Sequence, residues 1–141
     1  MKTLAIFMVG ATLSLCAWAK QPDQNTVCLA QNIYHEARGE PLKGQIAVAV
    51  TTLNRVNSGK FPNTICKVVY QPGQFTWTSY KPRITDQQAW RQSIFVAQLV
   101  QDYAYEYVTD FPALYFHSHG RRVTWRHRQF IATIGKHSFY Y

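Results

Sequence analysis

Acidic side chains are scarce in this sequence: seven Asp and Glu stand against fifteen Lys and Arg, for a formal charge of +8. So basic a chain gathers polyanions at its surface, and it has few carboxylates from which to build an acid–base pair. Cysteine is nearly absent as well. Cys16, Cys28 and Cys66 include no Cys-x-x-Cys spacing, which excludes the zinc ribbons and redox motifs that need one. The helical metalloprotease signature His-Glu-x-x-His is present only in its first half, because His35-Glu36 is followed by Gly at position 39. No serine sits in a Gly-x-Ser-x-Gly elbow. No internal repeat, low-complexity tract or linker interrupts the chain, which leaves a single domain and excludes solenoids and tandem modules.

What is present begins with an export signal. Lys2 is followed by an uncharged, largely apolar run from Thr3 to Ala19 that ends in Ala17-Trp18-Ala19, the layout of a secretory signal peptide with small residues at −3 and −1. The reading is residues 1–19 as signal peptide and 20–141 as the working domain, exported to the periplasm or to the cell wall and beyond. A membrane anchor is the alternative, but about 15 apolar-leaning residues fall short of the ~20 a spanning helix needs. A segment that enters the membrane and later leaves it would give a transient membrane contact. Cys16 raises lipidation, against which Leu15 is too large for that processing site. Loss of Lys2 with the leader leaves fourteen basic and seven acidic residues, a charge of +7. Outside the cytoplasm the polyanions on offer are wall polymers and phospholipids, so nucleic acid is not the expected partner. Cys28 and Cys66 are then an even pair in an oxidising space. A disulfide worth about 3–4 kcal/mol is the simplest reading, and two buried free thiols are the alternative.

Periodicity predicts helices first and extended segments last, an α+β chain that is mainly helical with a small C-terminal sheet or extended region. Thr26 is placed to cap a helix through Leu29, Ile33 and Ala37 that Gly39 stops. A second helix follows Pro41, with Ile46, Ala47, Val50, Leu53 and Val56 on its apolar side until Asn57-Ser58-Gly59. Thr64 caps a short helix through Val69. Pro72-Gly73 then leads into alternating Phe75 and Trp77, which read as a strand or a substrate-lining loop. Thr85 and Asp86 open the longest helix, running to about Val108, with the second helix as its expected partner. Leu114 to His117, Phe130 to Ile134 and Ser138 to Tyr140 read as short strands.

At 100° per residue Glu36 falls on the stripe of Leu29, Ile33 and Ala37. A carboxyl held there is partly desolvated and its pKa rises, the condition for a Glu to stay protonated and donate to a leaving oxygen. The same position also suits a helix-end Glu paired with Arg38.

The residues around it carry a resemblance. Tyr34-His35-Glu36-Ala37-Arg38-Gly39-Glu40-Pro41, Gly44-Gln45, Leu53-Asn54-Arg55-Val56, Phe61-Pro62, Cys66, Val69-Tyr70, Gln74-Phe75, Tyr115-Phe116-His117, Val123-Thr124-Trp125 and Ile134 to Tyr140 resemble, in order, the SleB cell wall hydrolase family. The resemblance implies a lysozyme-like fold, cleavage of the peptidoglycan glycan backbone without a cofactor or metal, and Glu36 as the catalytic acid. It also implies either hydrolysis or the lytic transglycosylase outcome, in which one carboxylate suffices. Glu40 is close enough to contribute, capping or pairing around Arg38 to shape the loop, or at the substrate as a second, nucleophilic carboxylate. Gln74, Phe75, Trp77, Tyr115, His117 and Trp125 are the candidate sugar-binding residues, in a chain expected to act as a monomer on glycan strands. Two rivals stand beside this reading. One is a metal-dependent amidase or peptidase drawing on His35, His117, His119, His127 and His137, with His117-Ser118-His119 as chelator; the other is a non-catalytic wall-binding module.

Overall fold

The computed structural model describes residues 21–103, 110–121, 123, 125 and 127–141. The leader expected over 1–19 and the stretch of the third long helix expected beyond Tyr103 lie outside the described residues. Helix α1 spans Gln24–Ala37 and is capped by Asp23, whose carboxylate accepts from the Thr26 backbone N–H at 2.7 Å. The cap is thus three residues earlier than Thr26, which sits inside the first turn and is buried. Helix α2 spans Leu42–Asn57, and the short α3, Ile65–Val69, carries the expected Thr64 cap.

The stretch after Pro72 corrects the expected strand. Phe75 and Trp77 do alternate, but Trp77–Tyr80 form the single turn α4. The hydroxyls of Thr78 and Ser79 return to the carbonyls of Phe75 and Thr76 at 2.7 Å each, closing a local turn in place of a ladder. Helix α5 spans Gln87–Asp102 and is capped by Asp86. It packs chiefly on α1 and less on α2, the reverse of the expected partnership. Its start is fixed by the buried Tyr34 hydroxyl, which accepts from the Thr85 and Asp86 N–H groups at 3.2 and 3.0 Å.

Strands β1 (Tyr115–Ser118), β2 (Phe130–Ile134) and β3 (His137–Tyr140) form an antiparallel sheet in the order β1-β3-β2. The helical core gathers Leu29, Ala30, Ile33, Val50, Val69, Val96 and Val100, and a second cluster of Ala37, Ala47, Val48, Ala113 and Phe139 seats the sheet on α1 and α2. Adjacent residues of α2 then hold the approach to β1. Asn54 Nδ2 donates to the Phe111 and Ala113 carbonyls at 2.6 and 2.9 Å, and Arg55 Nε donates to that of Leu114 at 2.7 Å. Cys28 and Cys66 form a disulfide that clips α1 to the start of α3. No helix among the described residues is long and apolar enough to cross a membrane.

Candidate active site

Glu36 lies in the last turn of α1, where the helix axis brings it to the mouth of a cleft between the helices and the sheet. One cavity of about 430 Å³ is lined by Glu36, Arg55, Gln74, Phe75, Phe116 and Ser118, with His117 and Arg121 at its margin. A second, of about 300 Å³, is lined by Glu36, His35, Arg38, Trp77, Tyr80 and Arg83. Glu36 and Thr76 belong to both, so the carboxyl stands at the waist of a trough. Among the described residues it is also the only acidic side chain lining either cavity.

Burial pushes the Glu36 carboxyl above its ordinary range. The Trp77 indole N–H and the Arg121 and Arg55 charges pull in the other direction without cancelling that rise. Trp77 Nε1 is buried and has no partner in hydrogen-bond geometry among the described residues, yet it is near enough to favour the ionised form of Glu36. The indole is held by His35, tilted against it at 4.5 Å between ring centroids, and by Phe75, stacked at 6.2 Å.

Across the waist, Arg55 is only 2% exposed and sits among the rings of Phe61, Phe75, Tyr115 and Phe116 at 5.2–6.0 Å. A buried guanidinium needs its donors occupied. Leu114 takes Nε, and the Gln74 amide, oriented with its oxygen toward Arg55, accepts from Nη1 and Nη2 at 3.0 and 3.1 Å. Desolvation lowers the Arg55 pKa to about 10, so the group stays cationic at neutral pH and its charge favours the ionised form of Glu36.

The sequence-derived candidates divide. Glu36, Gln74, Phe75 and His117 line the larger cavity and Trp77 the smaller. Tyr115 and Trp125 do not line either. Their rings meet each other at a tilt, and Trp125 also meets His117 and Tyr140 edge-on. Glu40 is absent from the cleft too and does not pair with Arg38. Its Oε2 accepts from the Lys136 N–H in the β2–β3 turn at 2.7 Å. His117 uses both ring nitrogens within the fold: Nδ1 donates to the Ser118 carbonyl at 2.9 Å, and Nε2 takes the Tyr140 hydroxyl at 3.1 Å. Among the described residues no three His, Cys, Asp or Glu side chains cluster as metal ligands. Arg55, Phe116, Ser118 and Arg121 were not singled out from sequence. Of these Arg55 left the clearest signal, as the one charge between Gly44 and Asn57 in a nearly apolar helix, while Phe116 and Ser118 stood beside His117 in the quoted segments.

A sequence model described as cell wall hydrolase matches residues 39–140; the match opens three residues after Glu36, so the case for that residue rests on its surroundings. Spore cortex-lytic enzymes of Bacillus subtilis and Oceanobacillus iheyensis are 54% identical over 48 residues and 46% identical over 68. These segments cover 34% and 48% of this chain but only 16% and 22% of the relatives. The chain therefore matches about a fifth of those proteins' length. The catalytic domain of the germination-specific lytic transglycosylase SleB from Bacillus anthracis superposes with a TM-score of 0.66 at 32% identity, covering 87% of this chain and 99% of that one. The catalytic domain of Bacillus cereus SleB gives 0.64 at 31%, covering 87% and 94%. These solved domains match the mainly helical, lysozyme-like α+β architecture found here, and with the family match extending over most of its length the chain belongs to the cell wall hydrolase family.

Proposed function

We propose that this protein cleaves the glycan strands of peptidoglycan, with Glu36 as general acid and then general base. The observation that carries the reading is a desolvated, protonatable carboxyl at the waist of a two-lobed cleft whose other lining residues, among those described, are neutral or basic. Glycosidases that hydrolyse with two carboxylates need the second within about 10 Å on the same site. Here Glu40, the nearest acid in sequence, is committed to the β2–β3 turn. One carboxylate supports an intramolecular reaction. The Glu36 O–H protonates the glycosidic oxygen as the C1–O bond breaks. The sugar's own 6-hydroxyl then closes on C1, and the Glu36 carboxylate takes the proton that hydroxyl releases, which regenerates the acid. No water is consumed, and the product ends in an anhydro ring.

In this cycle Arg55 and Arg121 steady the carboxylate in its ionised interval, and Trp77 offers its free indole N–H beside the reacting oxygen. Gln74 and Phe75 furnish an amide and an apolar face for the sugar. The protein acts as a monomer on exported glycan, in the periplasm or the wall. Glu36→Gln keeps the shape but holds no transferable proton, so it abolishes turbidity loss of purified walls while leaving wall binding in place. Mass spectrometry of the parent's products reads the chemistry directly: anhydro ends confirm the intramolecular route, reducing ends mean that water completes the reaction, and cleaved peptides would refute the glycan reading.

A further inference from the structure

Behind the sheet-side wall of the cleft lies a group of titratable side chains that the chemistry of Glu36 leaves unused. Ser118 ends β1 and lines the larger cavity with Glu36. His137 opens β3 directly across from it in the strand register and is 3% exposed. Its Nε2 is 3.4 Å from Ser118 Oγ. On the other side of the ring, Nδ1 has no hydrogen-bond partner and looks toward Glu40 Oε2 at 3.9 Å. Glu40 is itself held, by the Lys136 N–H and by a seat at Gly135, where a Cβ would overlap its Oε2. Three residues from the loop after α1, from β3 and from β1 therefore run in line from a buried carboxylate to the cleft.

The order of these groups fixes a direction. Burial pulls the His137 imidazole below its usual range, Glu40 only partly restores it, and His119 and His117 press it down further, so the ring is neutral at neutral pH and carries one N–H. A carboxylate facing Nδ1 keeps that proton on Nδ1, which leaves the Nε2 lone pair facing Ser118. The Ser118 hydroxyl must then donate inward, and its oxygen lone pairs turn to the cleft.

We propose that Ser118 is a saccharide-binding residue presented to the cleft as a hydrogen-bond acceptor, with His137 and Glu40 as positioning residues that set its polarity. The ligand group it takes is a donor on an amino sugar, a ring hydroxyl or an acetamido N–H. The proposal rests on the glycan reading of the cleft, and binding separates the two because it requires no cleavage. Titration calorimetry with a soluble β-1,4-linked N-acetylglucosamine oligomer is run on the Glu36→Gln protein, alone and combined with Ser118→Ala, Ser118→Thr or His137→Gln. Ser118→Ala raises Kd by about tenfold, the scale of one well-placed hydrogen bond, with a modest fall in melting temperature because His137 Nε2 also loses its partner. Ser118→Thr, which keeps the hydroxyl, restores most of the affinity. His137→Gln weakens binding by a similar factor, with no further loss when added to Ser118→Ala. An unchanged Kd in Ser118→Ala, additive effects of the Ser118 and His137 changes, or failure of the Glu36→Gln protein to bind the oligomer at all would overturn the proposal. Loss of products in Glu36→Gln with oligomer binding retained leaves the cleavage reading standing whatever Ser118 does.

Discussion

Replacing Gly135 with alanine puts the docking of Glu40 to a quantitative test. Gly135 has φ +58°, and an added Cβ would collide with Glu40 Oε2 and approach Glu40 Cδ and Pro41 Cδ to 3.2 Å. The left-handed backbone alone costs an L side chain about 1–2 kcal/mol. To make room the Glu40 carboxylate must leave the Lys136 N–H, giving up a charge-assisted bond of about 1.5–3 kcal/mol. Gly135→Ala is therefore expected to cost about 3–5 kcal/mol. At ~3–5 °C per kcal/mol for a domain of this size, the melting temperature drops by on the order of 10–20 °C in a calorimetric scan. In a Glu40→Ala background the carboxylate is gone and only the Pro41 contact remains, so the same change costs little more than the backbone share of about 1–2 kcal/mol. Gly135→Asn divides the terms differently, since asparagine tolerates the left-handed region but still brings a Cβ, so most of its cost should also vanish with Glu40. Equal penalties with and without Glu40 would refute the seat assigned to that carboxylate.

Two further measurements follow from the structure. Reducing the Cys28–Cys66 bond, or replacing both residues with serine, releases a 38-residue separation whose closure is worth about 4 kcal/mol; an unchanged denaturation midpoint would mean that the clip constrains nothing. For Glu36 the folded pKa is raised, so its contribution to stability is fully present below the unfolded value and is lost as pH rises through the folded one. Glu36→Gln should thus gain in melting temperature over the parent between pH 4 and pH 8, and a flat or inverted difference would contradict the burial of that carboxyl. The same rise keeps the acid protonated above the ordinary carboxyl range, so parent activity extends beyond it and declines on the alkaline side.

The helices were legible where apolar spacing is long. Leu29, Ile33 and Ala37, and then Ala47, Val50 and Leu53, are buried as their periodicity requires. Glu36 was legible for the same reason, as a charge on a stripe that must be covered. Short signals failed. The alternation of Phe75 and Trp77 spans three residues, too few to distinguish a strand from a turn, and side-chain bonds from Thr78 and Ser79 decided it. The choice of α1 as the main partner of α5 depends on three-dimensional packing that two apolar stripes do not specify. Glu40 could not be placed at all, since its partner lies 96 residues away. Ser118 and His137 are brought together by strand register, which neither local sequence encodes.

Asn54 and Arg55 tie α2 to carbonyls 57–59 residues further along the chain, and this has a temporal consequence. Synthesis supplies the acid early and the opposite wall late, because Ser118 and Arg121 are placed only once the residues of β3 can pair with β1. A partly made chain therefore carries Glu36 on a helix without the far side of the trough. The second wall of the cleft is therefore complete only when the last strand is in place.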